Sequence, residues 1–557
     1  MFFDFIIQVF FSGIFFLGVA GVGILLLRSF GYAPSNRFLD IALAYFVSLC
    51  LYTAIIVTGL FVFPQKLSAL TLLTVAYGLF SFGTLLFLMR KVPFISREFL
   101  MQHKTSLTIF SGVFLWVIAM FFLQIYHTSI LDEWLHRPVV QEFVSSGVFP
   151  LVNPLSPKSD FIHTYHYGTQ VIAAALQLIF RLGVSASLDL LKISYFIATF
   201  FLCYGMILMW TKKHALSLGG AVLVLFAGSS FFLLDSFTAN HLISFKGWGL
   251  ADGERWPINA PLSYILTGIT WVNIPLTIAL GVLFERVPIV AFVRRFRWWP
   301  MLLVAAVFTG FYLISELFLA LFLLVFGMYF VFICYKEAVL FRAMRIVFLW
   351  LILLVFGMYF TGGIVGNMFQ SGLHRITDGG NFYKPPVSSV TVVNIERSAD
   401  SFLALRPVSL WGYPSEKRIL VVWDRPWYYF RTLFLEAITL VFIAYSGYKR
   451  VFIWRDHPIL FAFLLFGLIA PFVFSTSFGN LNFSKITTLS FALLHLFIFY
   501  LIAKLPINKW ITTGLIVLLA LGSLPGLLIG SNIQWQWISS KGKSQYCSQN
   551  PLCHQEE

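Results

Sequence analysis

Residues 39–63 read LDIALAYFVSLCLYTAIIVTGLFVF, twenty-five positions in which Asp40 is the sole charge. Coiled as a helix, this run extends about 37 Å, more than the ~30 Å hydrocarbon core of a bilayer. Runs of similar length recur from one end of the chain to the other. Their approximate limits are 5–27, 39–63, 67–89, 105–126, 187–210, 215–234, 270–292, 299–314, 317–335, 346–366, 428–447, 458–476, 484–503 and 510–530. The composition agrees: of 557 residues, 59% are hydrophobic, 18% aromatic and only 11% charged, with a mean hydropathy of +0.86. A soluble domain carries roughly 25% charged residues. Water-soluble, disordered, coiled-coil and disulfide-dense scaffolds are therefore excluded, and the expected fold is an all-α polytopic membrane protein of about fourteen transmembrane helices.

The net charge of +15, from 38 basic and 23 acidic residues, has its source in the short connections. Arg28 and Arg37, Arg90 to Lys104, Lys212 and Lys213, Arg286 to Arg297, Lys336 to Arg345, Lys449 to Arg455, and Lys504 with Lys509 contribute twenty basic residues against five acids. The rest of the chain is neutral. Such clusters are a topology signal, since Lys and Arg in short loops stay cytoplasmic; a nucleic-acid partner is not expected. With the basic loops inside, both termini lie outside the cytoplasm. The domains are then three N-terminal spans (1–104), a membrane core (105–366) with outer loops 127–186 and 235–269, a long extracytoplasmic loop (367–427), four C-terminal spans (428–530) and an extracytoplasmic tail (531–557). The apolar stretch GTQVIAAALQLIFRLG (168–183) is too short to span and ends at Arg181, so it reads as a re-entrant or surface helix. If it spanned, every later basic cluster would change sides. The opening segment has Asp4 and no basic start, which reads as a retained helix rather than a signal peptide.

Chemistry concentrates in YHTSILDEWLHRPVVQEFVSSGVFPLVNPLSPKSDFIHTYHYG, residues 126–168. Asp132 and Glu133 fall about one and a half turns beyond the expected membrane edge, and helical spacing puts His136 on their face. Pro138 permits the first turn of a further helix, the run from Pro150 to Pro157 is extended, and His163 and His166 precede the apolar stretch at Gly168. These residues can mark no more than an interfacial belt. A pair of carboxylates at head-group depth also suits sugar transfer from a polyprenyl phosphate. That leaving group is stable as an anion, so the site needs one base for the acceptor hydroxyl and cations or a metal for the phosphate.

The outer loop with its membrane-proximal acidic pair, the Pro-rich stretch and the TYHYG motif at 164–168 resemble the GT-C class of polytopic glycosyltransferases, bacterial members above all. The resemblance covers roughly residues 105–215. It implies a GT-C-like fold in a bacterial cytoplasmic membrane, a polyprenyl-phosphate-linked sugar as donor and a glycan, lipid or protein as acceptor, with Asp132 as catalytic base and Glu133 as its neighbour. The chain differs from that class in placing three spans before the one that carries the pair and in carrying no soluble C-terminal domain in this sequence.

Cations for the lipid phosphate are sought near the outer membrane edges: Arg255 in HLISFKGWGLADGERWP, His374 and Arg375 after the tenth span, and Lys485 in GNLNFSK, together with His136, His163 and His166. Each can instead be a snorkelling side chain. Asp132, His163 and His166 form a plausible site for a divalent metal. Inside the spans, Lys192 sits one turn from Asp189, and Glu316 lies in a tight outer turn. Charges at that depth are functional candidates. Cys50, Cys203 and Cys334 read as packing residues, whereas Cys547 and Cys553 in the polar tail can pair outside the cytoplasm. The repeated octapeptide LLVFGMYF, at 323–330 and 353–360, falls on consecutive antiparallel spans and is given no function. A transporter or flippase for a lipid-linked saccharide, and a polysaccharide polymerase or ligase, are the alternative expectations.

Overall fold

The computed structural model describes residues 2–91, 133–149, 167–227, 262, 272–295, 298–361, 390–392, 395–398, 401–405, 434–476 and 481–523. Among these the chain is a bundle of helices: α1 (Phe2–Ser29), α2 (Arg37–Val62), α3 (Lys66–Lys91), α4 (Glu133–Ser146), α5 (Gly168–Phe180), α6 (Val184–Thr211) and α7 (His214–Phe226). There follow α8 (Asn273–Arg286), α9 (Ile289–Arg294), α10 (Trp298–Ile314), α11 (Glu316–Lys336) and α12 (Leu340–Thr361). The last group is α13 (Phe434–Tyr448), α14 (Ile453–Asp456), α15 (Pro458–Val473), α16 (Leu481–Lys504) and α17 (Lys509–Ser523). Seven helices among the described residues are long and apolar enough to cross a membrane. A helix lies within every expected run except 105–126, which is outside the described residues, as are the tail and its two cysteines.

Two details differ from the sequence reading. The run 270–292 breaks at Val287, whose extended backbone is what a following proline imposes, and Pro288 then opens the six-residue α9. The fold is also not purely helical. β1 (Val390–Val392) pairs antiparallel with β4 (Phe474–Thr476), Val390 opposite Thr476, so the run expected to span 458–476 stops being helical at Val473. β2 (Ile395–Ser398) and β3 (Ser401–Leu405) form a second antiparallel ladder.

The outward faces identify the solvent. On α3, Leu72, Val75, Leu79, Phe80, Leu86 and Phe87 are exposed, and on α12 so are Phe348, Ile352 and Phe356. No water-soluble protein leaves such continuous apolar stripes uncovered; the protein is membrane-embedded. In contrast α2, α6 and α16 are surrounded by other helices. Lipid offers no hydrophobic drive for helices to associate, so close approach through small residues and interhelical hydrogen bonds carry the packing. Gly310 of α10 lies so near α2 that a Cβ would overlap the carbonyl oxygen of Cys50. Tyr45 bonds Ser194 at 2.8 Å, Tyr52 bonds Thr74 at 2.9 Å and Ser48 bonds Tyr77 at 2.6 Å, tying α2 to α6 and α3. Cys50, Cys203 and Cys334 are buried free thiols, in keeping with a packing role.

The basic connections gather at one end of the bundle. Asn36 caps α2 through the Leu39 amide and donates to the Gly205 carbonyl near the end of α6. Pro288 lies against Gly31, Arg286 meets Met209, and Lys504 pairs with Asp456 at 3.7 Å. Glu285 organises this end. One carboxylate oxygen accepts from the Ile459 and Leu460 amides at the start of α15, and the other takes the His457 Nδ1 proton at 2.9 Å. Trp210 donates to His457 Nε2 at 2.9 Å, and since indole can only donate, the ring must be the Nδ1–H tautomer.

Substituting Gly310→Val forces side-chain atoms into the α2 backbone and is expected to cost at least the ~1–3 kcal/mol of ordinary overpacking. A lowered melting temperature in detergent would report it. Gly514→Ala, where a Cβ meets nothing within 4 Å, is the control expected to leave stability unchanged or slightly raised.

Candidate functional site

The helix after the acidic pair starts at Glu133, earlier than Pro138 alone would suggest. Pro138 therefore sits inside α4, where its ring removes the bond to the Trp134 carbonyl. Gly147, at φ 65°, ends α4 and lets the chain turn against Leu67. Phe149 then contacts Phe61, Phe143 and Tyr167 through ring edges at 4.9–5.9 Å, pinning the segment to the far end of α2 from Arg37.

α5 is thirteen residues, about 20 Å, shorter than the ~30 Å hydrocarbon core of a bilayer. Its first residue, Gly168, is wedged between Thr53 and the Leu313 carbonyl, where a Cβ would stand 2.8–2.9 Å from each. Thr53 lies nine residues before the end of α2, about 13 Å along that helix. The last residue, Phe180, stacks on Phe11, likewise nine residues from the end of its helix, at 4.4 Å. Both ends of α5 thus meet their neighbours at a similar depth, and Arg181 in the left-handed region closes the helix.

Around the inner tip of α5 the polar side chains converge. Gln170 Nε2 meets His136 Nδ1 at 2.7 Å, and the Thr169 hydroxyl donates to Gln170 Oε1 at 2.9 Å. With Oε1 accepting, the amide nitrogen must donate to Nδ1, which leaves the His136 Nε2–H as a donor. The Tyr167 hydroxyl donates to the Thr361 carbonyl at the end of α12. Burial, and after it the neighbouring Glu316 carboxylate, holds the Tyr167 phenol above its usual range, so it stays protonated. Glu316 opens α11 after a single extended residue, Ser315, and its charge faces the positive end of that helix dipole. His136, Tyr167, Gln170, Glu316 and Thr361 thus come from four helices or their edges, at the end of the bundle opposite the basic loops.

Of the residues singled out from sequence, His136 is placed in this cluster. Glu133 and Lys485 are placed by backbone, in the first turns of α4 and α16. Asp132, His163, His166, Arg255, His374 and Arg375 lie outside the described residues, and with them the expected metal ligands. Among the described residues no group of three or more His, Cys, Asp or Glu could hold a metal. Asp189 and Lys192 form a buried ion pair at 3.5 Å well inside α6, so their charges are not a matter of where the helix begins.

Sequence reasoning passed over Gln170, whose signal was an amide within an otherwise apolar stretch. It also passed over a pair inside expected spans: His495 Nε2 meets Glu436 Oε1 at 3.0 Å, both side chains being buried. Glu436 Oε2 and His495 Nδ1 find no partner among the described residues. His495 stands nine residues before Lys504, about 13 Å from the basic end and so near mid-bundle.

No known family model, curated protein or solved structure matches the chain.

Gln170→Leu would strip His136 Nδ1 of its buried donor, at a cost of about 1–3 kcal/mol. Thermal unfolding should show the loss, and His136→Leu combined with it should recover part, since no polar ring is then left stranded.

Proposed function

We propose that the protein is a membrane glycosyltransferase that moves a sugar from a polyprenyl-phosphate donor to an acceptor on the outer face of a bacterial cytoplasmic membrane. What carries the reading is the convergence of α4, the helix that opens at Glu133, with the start of α5 and with Glu316, at the end of the bundle away from the basic loops. The positive-inside rule assigns that end to the outside, and the fourteen-span arrangement closes on the same assignment. A segment that was free solvent loop would have no reason to dip between α2 and α10.

In this reading Asp132, the residue before Glu133 in the chain, takes the proton from the acceptor hydroxyl. The acceptor oxygen forms its bond to the anomeric carbon as the bond to the phosphate oxygen breaks, and the electron pair leaves with the polyprenyl phosphate. Glu133 supports the base, and the His136 Nε2–H can donate to a phosphate or sugar oxygen. Arg255, His374, Arg375 and Lys485, with His163 and His166, neutralise the phosphate, alone or with a divalent metal held by Asp132, His163 and His166. The lipid tail lies between spans.

Asp132→Asn in membranes or detergent is expected to reduce transfer by about 10²–10⁴-fold with unchanged folding. Undiminished transfer would remove the proposed base.

A second reading, a transporter or flippase for a lipid-linked saccharide, is favoured by the buried Glu436–His495 and Asp189–Lys192 pairs, because intramembrane ionisable residues commonly mark transport paths. The two readings part at Glu436→Gln. As a transferase the variant retains transfer to the acceptor; as a transporter it loses movement of a fluorescent lipid-linked sugar in proteoliposomes.

A further inference from the structure

Trp210, Glu285 and His457 meet at the basic end of the bundle from three separate parts of the chain. His457 stands between α14 and α15, with side chains of α6, α8 and α16 around it. Its side chain and that of Glu285 are 9% and 5% exposed. Aromatic rings box it in. Trp210 and Tyr500 meet the imidazole edge to face at centroid distances of 5.5 and 5.6 Å, and Phe497 lies at 6.5 Å. Both ring nitrogens are engaged, Nδ1 with Glu285 and Nε2 with the Trp210 indole, each at 2.9 Å.

The two partners ask opposite things of the ring. A carboxylate accepts and an indole donates, so together they are met by neutral imidazole, which carries one N–H and one lone pair. A second proton has to go to Nε2, the nitrogen that holds the Trp210 bond. Imidazolium has two N–H groups and no acceptor, and would turn a donor toward a donor. Its charge would still be matched, because the Glu285 carboxylate is already in contact. Trp210 is itself buried, so an indole released there has to move to find another acceptor.

The other ionisable groups around the ring are engaged elsewhere or face outward. The Tyr500 hydroxyl of α16 donates to Asp456 of α14 at 2.7 Å, and Lys504 pairs with the same carboxylate at 3.7 Å. Arg286 of α8 is turned to Met209. Arg455, and Lys212 and Lys213 beyond α6, are exposed. Tyr329 of α11 lies near enough to Glu285 to feel its charge, and α15 carries no ionisable residue.

We infer that His457 is a proton-operated latch between α6 and the C-terminal spans, closed while the ring is neutral and opened at Trp210 when Nε2 takes a proton from the side of the basic loops. The proton enters on the Nε2 lone pair, the indole N–H···N bond is lost, and Glu285 keeps its hold on Nδ1–H and on the first amides of α15 in both states. Histidine is the residue type that changes charge between about pH 5 and 8. The latch lies at the opposite end of the bundle from the His136 cluster and depends on neither the transferase nor the transporter reading.

His457→Gln supplies the test. A glutamine amide carries a donor and an acceptor across one carbon, as neutral imidazole does, and it does not titrate. Ultraviolet resonance Raman spectra of the full-length protein in detergent, at about pH 8 and about pH 5, would report the hydrogen bonding of the indole N–H. Subtracting the spectrum of Trp210→Phe isolates this one indole. The parent should show it bonded at the higher pH and free at the lower, reversibly, whereas His457→Gln should keep it bonded at both. Hydrogen–deuterium exchange, corrected for its intrinsic pH dependence, should rise over the last turn of α6 on acidification in the parent alone. An indole that stays bonded at the lower pH in the parent, or that is freed equally in His457→Gln, would overturn the latch. Should His457→Gln fail to fold, Trp210→Phe decides: exchange at the end of α6 should already be raised at the higher pH and should not change on acidification, and an acid-induced rise equal to the parent's refutes the proposal.

Discussion

A hydrocarbon core offers no water to a hydrogen-bonding group, and that single constraint governs this molecule. Each backbone amide must find its partner within its own segment, which makes helices the only economical spans. Side-chain polarity must likewise be met between helices. Tyr45 with Ser194, Tyr52 with Thr74, and Asp189 with Lys192 show how it is done, each group closing on a partner a few ångströms away. Where the backbone leaves the helical pattern at depth, as it does before Gly168, the departure is enclosed by α2, α10 and α12 rather than exposed to lipid.

The two ends of the bundle are built on different principles. At the basic end a network of fixed polarity, Glu285 with His457, Trp210 and the first amides of α15, locks three helices together. That end is suited to anchoring. The opposite end brings together shorter elements, α5, α4 and the one-residue turn before Glu316. Such elements are held by a few specific contacts instead of by long apolar faces.

The spans were legible because twenty apolar residues in succession have few other uses, and the clustering of Lys and Arg marked their connections. The short stretch 168–183 is likewise a helix, Gly168–Phe180, that ends before Arg181. Less legible were the breaks inside long runs. Pro288 divides 270–292 into two helices, and Val473 gives way to a strand that pairs with Val390–Val392, a partner more than eighty positions earlier. Of the candidate site, His136 was visible as a histidine on the acidic face of a short helix, but its partner Gln170 was not, because nothing local distinguishes that amide from a lipid-facing one.

By itself the sequence determined the solvent of this protein, the approximate place of its spans and the side on which its cations collect, since each follows from the free energy of moving a residue between water and hydrocarbon, a property of the residue and its near neighbours. Only tertiary structure decided which polar groups meet: His136 with Gln170, Tyr167 with Thr361, and Glu436 with His495. Those encounters join residues that lie far apart along the chain, and they depend on how helices rotate and approach once packed, which no local composition encodes.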